Sequence, residues 1–473
     1  MRFDSLTFAV FLILVLGLFG LCRNWRTRKT VLIVSSYLFY AAWNPPFVIL
    51  IWISTLVDYF AALKMAKAVR DSLRKFWLLV SLTSNLGMLS FFKYGDFFLQ
   101  SFVEVAAQVN VEYIPPELGI ILPVGISFYT FQTLSYTIDV FRKKIEPTRS
   151  ITDFALFVTF FPQLVAGPIV RARDFIPQLQ VPKKLTRSNL GWGGVLVTVG
   201  LFYKQVLSDA LFAPIADQMF AMTMTPSFAS AWAGVLAFTG QIFCDFAGYS
   251  IIAIGIALMF GFRLPDNFNA PYAALGFSDF WRRWHISLST WLRDYLYISM
   301  GGNRRGRIAT YRNLFITMLL GGLWHGAAWT FVFWGALHGF YLIIERLLRR
   351  RIPGFFASTA ILNKSLIGFV TLFLVVVSWV PFRAKNFEDM LIILSAMFGQ
   401  SAGHAVVSLD SLIIVTAGFF ALVATQWMYR DQSKISDKIS ALPSGVLGVL
   451  IGFAWWMIAT TPSADRAFIY FQF

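Results

Sequence analysis

Apolar residues run along this chain in blocks of roughly membrane-spanning length, separated by short basic loops. The blocks lie at 5–22, 30–43, 46–66, 76–92, 119–141, 190–215, 227–262, 365–382, 410–428 and 443–463. A helix needs ~20 mostly apolar residues to cross a bilayer. In hydrocarbon only a helix or a closed barrel satisfies its own backbone hydrogen bonds. The pattern therefore predicts an all-α, multi-pass integral membrane protein with about ten to twelve crossings or half-crossings. The first block shows no small-residue cleavage site and further blocks follow it, so it reads as a membrane helix rather than a signal peptide.

The basic loops orient the blocks. Loops 23–30 and 64–75, the second holding Lys64, Lys67, Arg70, Arg74 and Lys75, go to the cytoplasm. That puts the N-terminus and segment 93–118 outside and returns 142–149 inside. Two blocks break the count. Block 154–169 is basic on both flanks, with Arg171, Arg173, Lys183, Lys184 and Arg187 following it, and Pro162, Gly167 and Pro168 interrupt it. Segment 311–348 is basic at both ends, with Arg304, Arg305, Arg307 and Arg312 before or at its start and Arg346, Arg349, Arg350 and Arg351 at or after its end. Both are expected to re-enter rather than cross, which is tolerated only where protein or a water-filled cavity shields the backbone. The turn "GGLWHG" would then carry His325 to mid-depth. No internal repeat and no soluble domain is apparent. The chain reads as one membrane domain over 1–473: N-terminal helices to 118, a core at about 120–345 and scaffold helices over 353–473.

Composition agrees. The chain is 57% hydrophobic and 14% charged, with mean hydropathy +0.65, which excludes a soluble fold of this length. Its net charge of +16 is read as basic loops against anionic lipid rather than nucleic-acid binding, because no basic run leaves the loop pattern. Cys22 and Cys244 lie in or beside apolar blocks and offer neither a disulfide framework nor a metal site. No phosphate-binding P-loop, dinucleotide glycine pattern, HExxH or GxSxG occurs.

Candidate chemistry concentrates in two stretches. His325 sits between tryptophan and glycine in an apolar run. Its imidazole can exchange a proton near neutrality, and ionisable groups at membrane depth mark functional sites. A hydrogen bond to a neighbouring helix is the plainer alternative. His338, 13 residues on, would lie about 220° around a continuous helix and ~20 Å along it, which gives it a packing role. The second stretch, 277–306, predicts a helix from about Phe280 capped by Asp279. Trp281, His285, Leu288, Leu292 and Tyr295 would share one stripe, and Arg282, Ser289 and Arg293 another. Such a helix suits the membrane boundary. The loop "GGNRRG", with Arg304 and Arg305, either holds phosphates or serves the positive-inside bias. Asp58, Lys204, Asp209, Gln241 and Asp245 are polar positions within apolar runs. Lys204 and Asp209, five apart, would not pair well on one α-helix.

These stretches resemble the membrane-bound O-acyltransferase family, in the bacterial branch that contains the alginate O-acetylation membrane subunit. The resemblance is carried by "LPVGISFYTFQTLSYTIDVFR" (122–142), "FFPQLVAGPIVRARDFIPQL" (160–179), "FCDFAGYSIIAIG" (243–255), "LPDNFNAPYAALGFSDFWRRWHISLSTWLRDYLYISMGGNR" (264–304) and "LLGGLWHGAAWTFVFWGALHG" (319–339). One departure is Ile251, where relatives in this branch often carry aspartate. The resemblance implies a ring of tilted helices with re-entrant segments around a central catalytic tunnel. It implies an acetyltransferase of the bacterial inner membrane, with acetyl-coenzyme A as acyl donor and no metal. The acceptor would be an extracytoplasmic polysaccharide, reached through a periplasmic acetyltransferase or another subunit of a polysaccharide-synthesis complex. It makes His325 and His285 the catalytic residues, His325 as general base or acyl carrier. Trp324, Asp294, Arg282, Arg283, Asn267, Asp245, Gln241, Arg304 and Arg305 are the expected substrate-binding residues. Transfer of D-alanine to teichoic acid and a non-enzymatic transporter are the competing readings.

Overall fold

In the computed structural model, Trp25–Ala41, Pro45–Lys67 and Asp71–Gln108 follow one another as helices linked by short turns. They exemplify how the apolar blocks resolve. The structure describes residues 1–473 except 112, 114, 116–118, 166, 401, 431–442, 463–465 and 470–473. Segment 93–118, expected outside the membrane, continues the helix Asp71–Gln108 as far as Gln108; its later part and block 443–463 fall partly outside the described residues. Among the described residues the regular elements are helices, with one isolated bridge between Pro226 and His404. Seven are long and apolar enough to cross a membrane: Pro45–Lys67, Asp71–Gln108, Arg187–Phe220, Phe228–Met259, Trp329–Arg351, Ile361–Arg383 and Leu409–Met428. Leu6–Leu21 and Ser444–Thr460 are shorter apolar helices. The protein is an all-α, multi-pass membrane protein. Block 119–141 contributes only the 16-residue helix Ile126–Phe141, because Pro123 and the left-handed Gly125 (φ 76°) precede it.

The chain forms two compact units, Met1–Gly194 with Ala253–Pro265, and Val195–Ile252 with Asp266–Phe473. In the first, block 154–169 is broken as its prolines predict. Helix Ile151–Thr159 stops at Phe160, one turn follows at Phe161–Leu164, and regular structure resumes at Ala172. Phe154, Phe157, Phe160, Phe161 and Phe175 are fully buried around that break. Asp58 of this unit accepts hydrogen bonds from Ser81 Oγ (2.6 Å) and Asn85 Nδ2 (2.9 Å). The same asparagine accepts from Ser54 and Thr133.

In the second unit the basic-flanked segment 311–348 is a helical hairpin. Helix Gly306–His325 ends on His325, Gly326 and Ala328 are extended, and Trp329–Arg351 begins. Glycines let the two arms touch: a Cβ on Gly322 would meet the Phe331 carbonyl and would lie 2.9 Å from Gly335 Cα. The second arm is long and apolar enough to cross a membrane, unlike the re-entrant segment that the flanking arginines suggest. The turn expected within "GGLWHG" lies at its last residue and beyond, over residues 326–328. It invalidates the spacing applied to His338, because residues 325–338 are not one helix.

Candidate functional site

The tryptophan-rich stretch departs from the single helix that its periodicity predicts. Helix Phe277–Arg283 stops, His285 adopts a left-handed conformation (φ 40°, ψ 56°), and Ile286–Trp291 continues into wide π turns over Leu292–Tyr297. A non-glycine residue in the left-handed region is strained, and such strain concentrates at functional positions. Flanking pairs hold the break. Asn269 N–H donates to the Arg283 carbonyl and Ile286 N–H to the Asn267 carbonyl, each at 2.9 Å. Asn267 Oδ1 accepts from Ser287 Oγ (2.6 Å), and its Nδ2 donates to Ser250 (3.1 Å). Asn267, expected to bind substrate, is thus the clamp that shapes the His285 bend. Asp279 does not cap the helix. The helix begins at Phe277, and the Asp279 carboxylate reaches back to Leu275 N–H (2.9 Å) and pairs with Arg283 (2.9 Å) and Arg430 (3.5 Å). Burial pushes that carboxyl up, but the Leu275 amide and the two arginines outweigh it and hold it below the ordinary carboxylate range.

The bend and the hairpin bring the two histidines together. His285 and His325 are buried, with ring centroids 6.3 Å apart. Trp324 lies against both, at 5.8 and 5.1 Å. The wall around them is aromatic. Phe246 meets His285 edge-on at 4.6 Å, and Trp334 and Phe382 meet His325 at 5.0 and 5.3 Å. Trp379 stacks on Trp334 at 5.9 Å and meets Trp284 at 5.0 Å. The indole N–H groups of Trp281, Trp284, Trp334 and Trp379 are buried and meet no acceptor among the described residues. Phe382 and Trp379 belong to helix Ile361–Arg383, which the sequence reading assigned to scaffold. The sequence carries no local signal for them, because both sit in an ordinary hydrophobic span. His338 is a packing residue in this wall. Its Nε2 shares a hydrogen bond with Ser378 (3.0 Å), and its ring lies 5.2 Å from Trp281 and 4.7 Å from Trp334.

A cavity of about 520 Å³ lies beside this cluster, walled by Trp281, Arg282, Ser289, Arg293, Asn303 and Arg346 among others. Arg282, Ser289 and Arg293 converge on it despite the bend. Trp281 stands between the cavity and the histidines: it lines the cavity, and its ring lies 5.8 Å from Trp334, whose ring touches His325. Asp294 binds Arg293 Nε at 2.7 Å, and this hydrogen bond raises the arginine's pKa above its usual value. Arg304 and Arg305 are exposed in the glycine-rich loop next to Asn303. Arg283 does not line the cavity; its guanidinium binds Asp279 and the Asn269 carbonyl.

Two expected ligands stand apart. Gln241 is buried on helix Phe228–Met259, and its backbone carbonyl accepts from Ser208. Asp245 is 2.7 Å from Lys204 Nζ, which also donates to Asp209 at 2.9 Å. Residues 202–212 wind as a π-helix. There the i and i+5 positions stack, and this overturns the expectation that Lys204 and Asp209 do not pair.

The sequence profile of the membrane-bound O-acyltransferase family matches residues 141–379. The chain is 44% identical over 499 residues to the "Probable alginate O-acetylase AlgI" of Pseudomonas putida, covering 100% of both chains. The protein of the same name from Azotobacter vinelandii is 39% identical, also with full coverage of both. The "Peptidoglycan O-acetyltransferase" of Helicobacter pylori is 38% identical over 80% of this chain and 75% of its own.

Proposed function

This chain belongs to the membrane-bound O-acyltransferase family, and from that premise we propose that it transfers acetyl groups through the bacterial inner membrane for O-acetylation of an extracytoplasmic polysaccharide. The donor is a cytosolic acetyl thioester, acetyl-coenzyme A, and the acetyl group passes to a periplasmic partner or directly to the glycan. The observation that carries this reading is the pair of buried imidazoles, 6.3 Å apart in an aromatic wall and joined through Trp334 and Trp281 to an arginine-lined cavity.

The chemistry follows from those parts. Arg282, Arg293 and Arg346 offer guanidinium groups that match phosphate geometry, so the cavity suits the phosphates of the donor. The thioester carbon lies between the imidazoles when the acetyl end passes Trp281. His325 takes the proton of the acceptor hydroxyl as its oxygen attacks the thioester carbon. The C–S bond then breaks, and the thiolate leaves with a proton. His285, fixed by its bend and by Asn267, orients the acceptor. A positioned base contributes roughly 10²–10⁴-fold. The apolar wall keeps out water that would hydrolyse the thioester, and its free indole N–H groups suit the oxygens of a carbonyl or a sugar. Membrane vesicles given radiolabelled acetyl-coenzyme A test this. His325→Ala is expected to abolish labelling of alkali-labile glycan while the protein accumulates in the membrane. Wild-type labelling in that variant would refute the assignment.

A further inference from the structure

The acetylation reading leaves unexplained a buried ionic cluster in the second unit, formed by Lys204, Asp209 and Asp245, whose side chains are 1%, 5% and 2% exposed. Three ionisable groups inside apolar helices are costly to bury, and they persist where they serve a site. The cluster sits where two helices approach closely: a Cβ on Gly200 would lie 2.7 Å from the Gly248 carbonyl. Lys204 reaches across that contact to Asp245, and its cation lies 5.6 Å from the Tyr249 ring. The second oxygen of Asp245 accepts the Ile469 amide at 2.6 Å. Phe468, beside it, packs on Tyr249 at 4.5 Å and on Phe246 at 5.6 Å. Phe246 follows Asp245 directly and is the ring that meets His285 edge-on.

We propose that Lys204 is a positioning residue for the acyl-transfer site: its bridge to Asp209 and Asp245 fixes helix Phe228–Met259 in register, and thereby holds Phe246 against the His285 imidazole. The π-helical winding of 202–212 is what allows this. It adds the fifth residue to the turn, so that one lysine grips an aspartate on its own helix and another on the neighbouring helix. An α-helix would rotate Asp209 away. The bridge acts on the orientation of His285, so it governs the turnover of bound donor rather than donor affinity. This inference rests on the acetylation reading above.

The test uses vesicles containing the full-length protein, with radiolabelled acetyl-coenzyme A as donor and rates normalised to folded protein. Lys204→Met is expected to lower kcat at least about tenfold and to leave the donor KM within about twofold. Lys204→Arg, which keeps the cation, restores most of the rate. If Lys204 works through Phe246, Lys204→Met combined with Phe246→Ala is no more than about twofold slower than the slower single variant. Multiplying losses would overturn the proposal, as would unchanged kcat, a rise in KM alone, or failure of arginine to rescue. If Lys204→Met does not accumulate, Lys204→Met with Asp209→Asn and Asp245→Asn removes the stranded charges, and wild-type kcat in that triple variant is equally fatal. An active His325→Ala would sink the acetylation reading. An inactive His325→Ala beside a normal Lys204→Met would sink only this one.

Discussion

Each unit buries polar side chains among apolar helices, and the two do so in opposite ways. In the first, Asp58, Ser81, Asn85, Ser54 and Thr133 bond to one another across three helices, so the cluster closes on itself. In the second, His285 and His325 lie 6.3 Å apart in an aromatic wall where the indole N–H groups of Trp281, Trp284, Trp334 and Trp379 lack acceptors among the described residues. A closed network adds directional strength to helix packing in a membrane, where no hydrophobic force joins the helices. An open set of donors around two proton-handling rings adds little to packing and offers much to a bound oxygen-rich group. Burial of a polar residue is therefore a weak pointer to contact with substrate: a group whose partners are side chains of its own cluster braces the fold, as Asp58 and Lys204 do, and donors that lack such partners are open to a ligand.

That contrast breaks most clearly by substituting one member of each region. His325→Gln is expected to cut acetyl transfer per folded molecule by roughly 10²–10⁴, while thermal unfolding moves by no more than about 2 °C. Asp58→Ala should do the reverse. It strands the Asn85 and Ser81 donors at a cost of about 2–4 kcal/mol, visible as a lower unfolding temperature. The rate per folded molecule stays within about twofold. If Asp58→Ala silences the enzyme without destabilising it, the two regions are not different in kind. Gly322→Ala probes the hairpin between these extremes. The added methyl pushes apart arms that meet at Gly335, costing about 1–3 kcal/mol. The push acts three residues before His325, so stability and rate should fall together, read by thermal unfolding and by labelling.

How much of this was legible before the structure depends on which physical signal each feature left. The hydropathy blocks announce membrane helices because backbone satisfaction in lipid permits little else. His325 stood out because a polar ring in an apolar run is rare, and the flanking glycines announced its turn. The bend at His285 left no such mark: Trp281 to Tyr295 carry a clean helical stripe, and only pairing with the distant residues 267–269 breaks it. Lys204 and Asp209 looked mismatched because α-helical spacing was assumed, and a π-helix leaves no periodicity of its own to read. Phe382 and Trp379 were hidden in an ordinary hydrophobic span. Their role comes from long-range packing on Trp334, which one sequence does not encode locally.

The smallest expected effect separates binding from bracing within the tryptophan-rich stretch itself. Asp279 lies in the short helix Phe277–Arg283, outside the seven spans; it pairs with Arg283 of the same helix and ties the helix to Arg430. Its carboxyl is held below the ordinary value in the folded protein. The contribution to stability is therefore fully present above the unfolded aspartate pKa of about 3.9 and is lost as the pH falls through the lower folded value. Asp279→Asn should destabilise the protein at neutral pH by no more than about 1 kcal/mol, in keeping with a part-exposed pair. The gap to wild type should then close as the pH drops from about 5 toward 3. Thermal unfolding of both proteins in detergent across that range measures it. A gap that is constant with pH would mean that the side chain braces the helix by packing alone. A gap that widens in acid would mean that its carboxyl pKa is raised, and that Arg283 is then free to turn toward the cavity and join the donor-binding arginines.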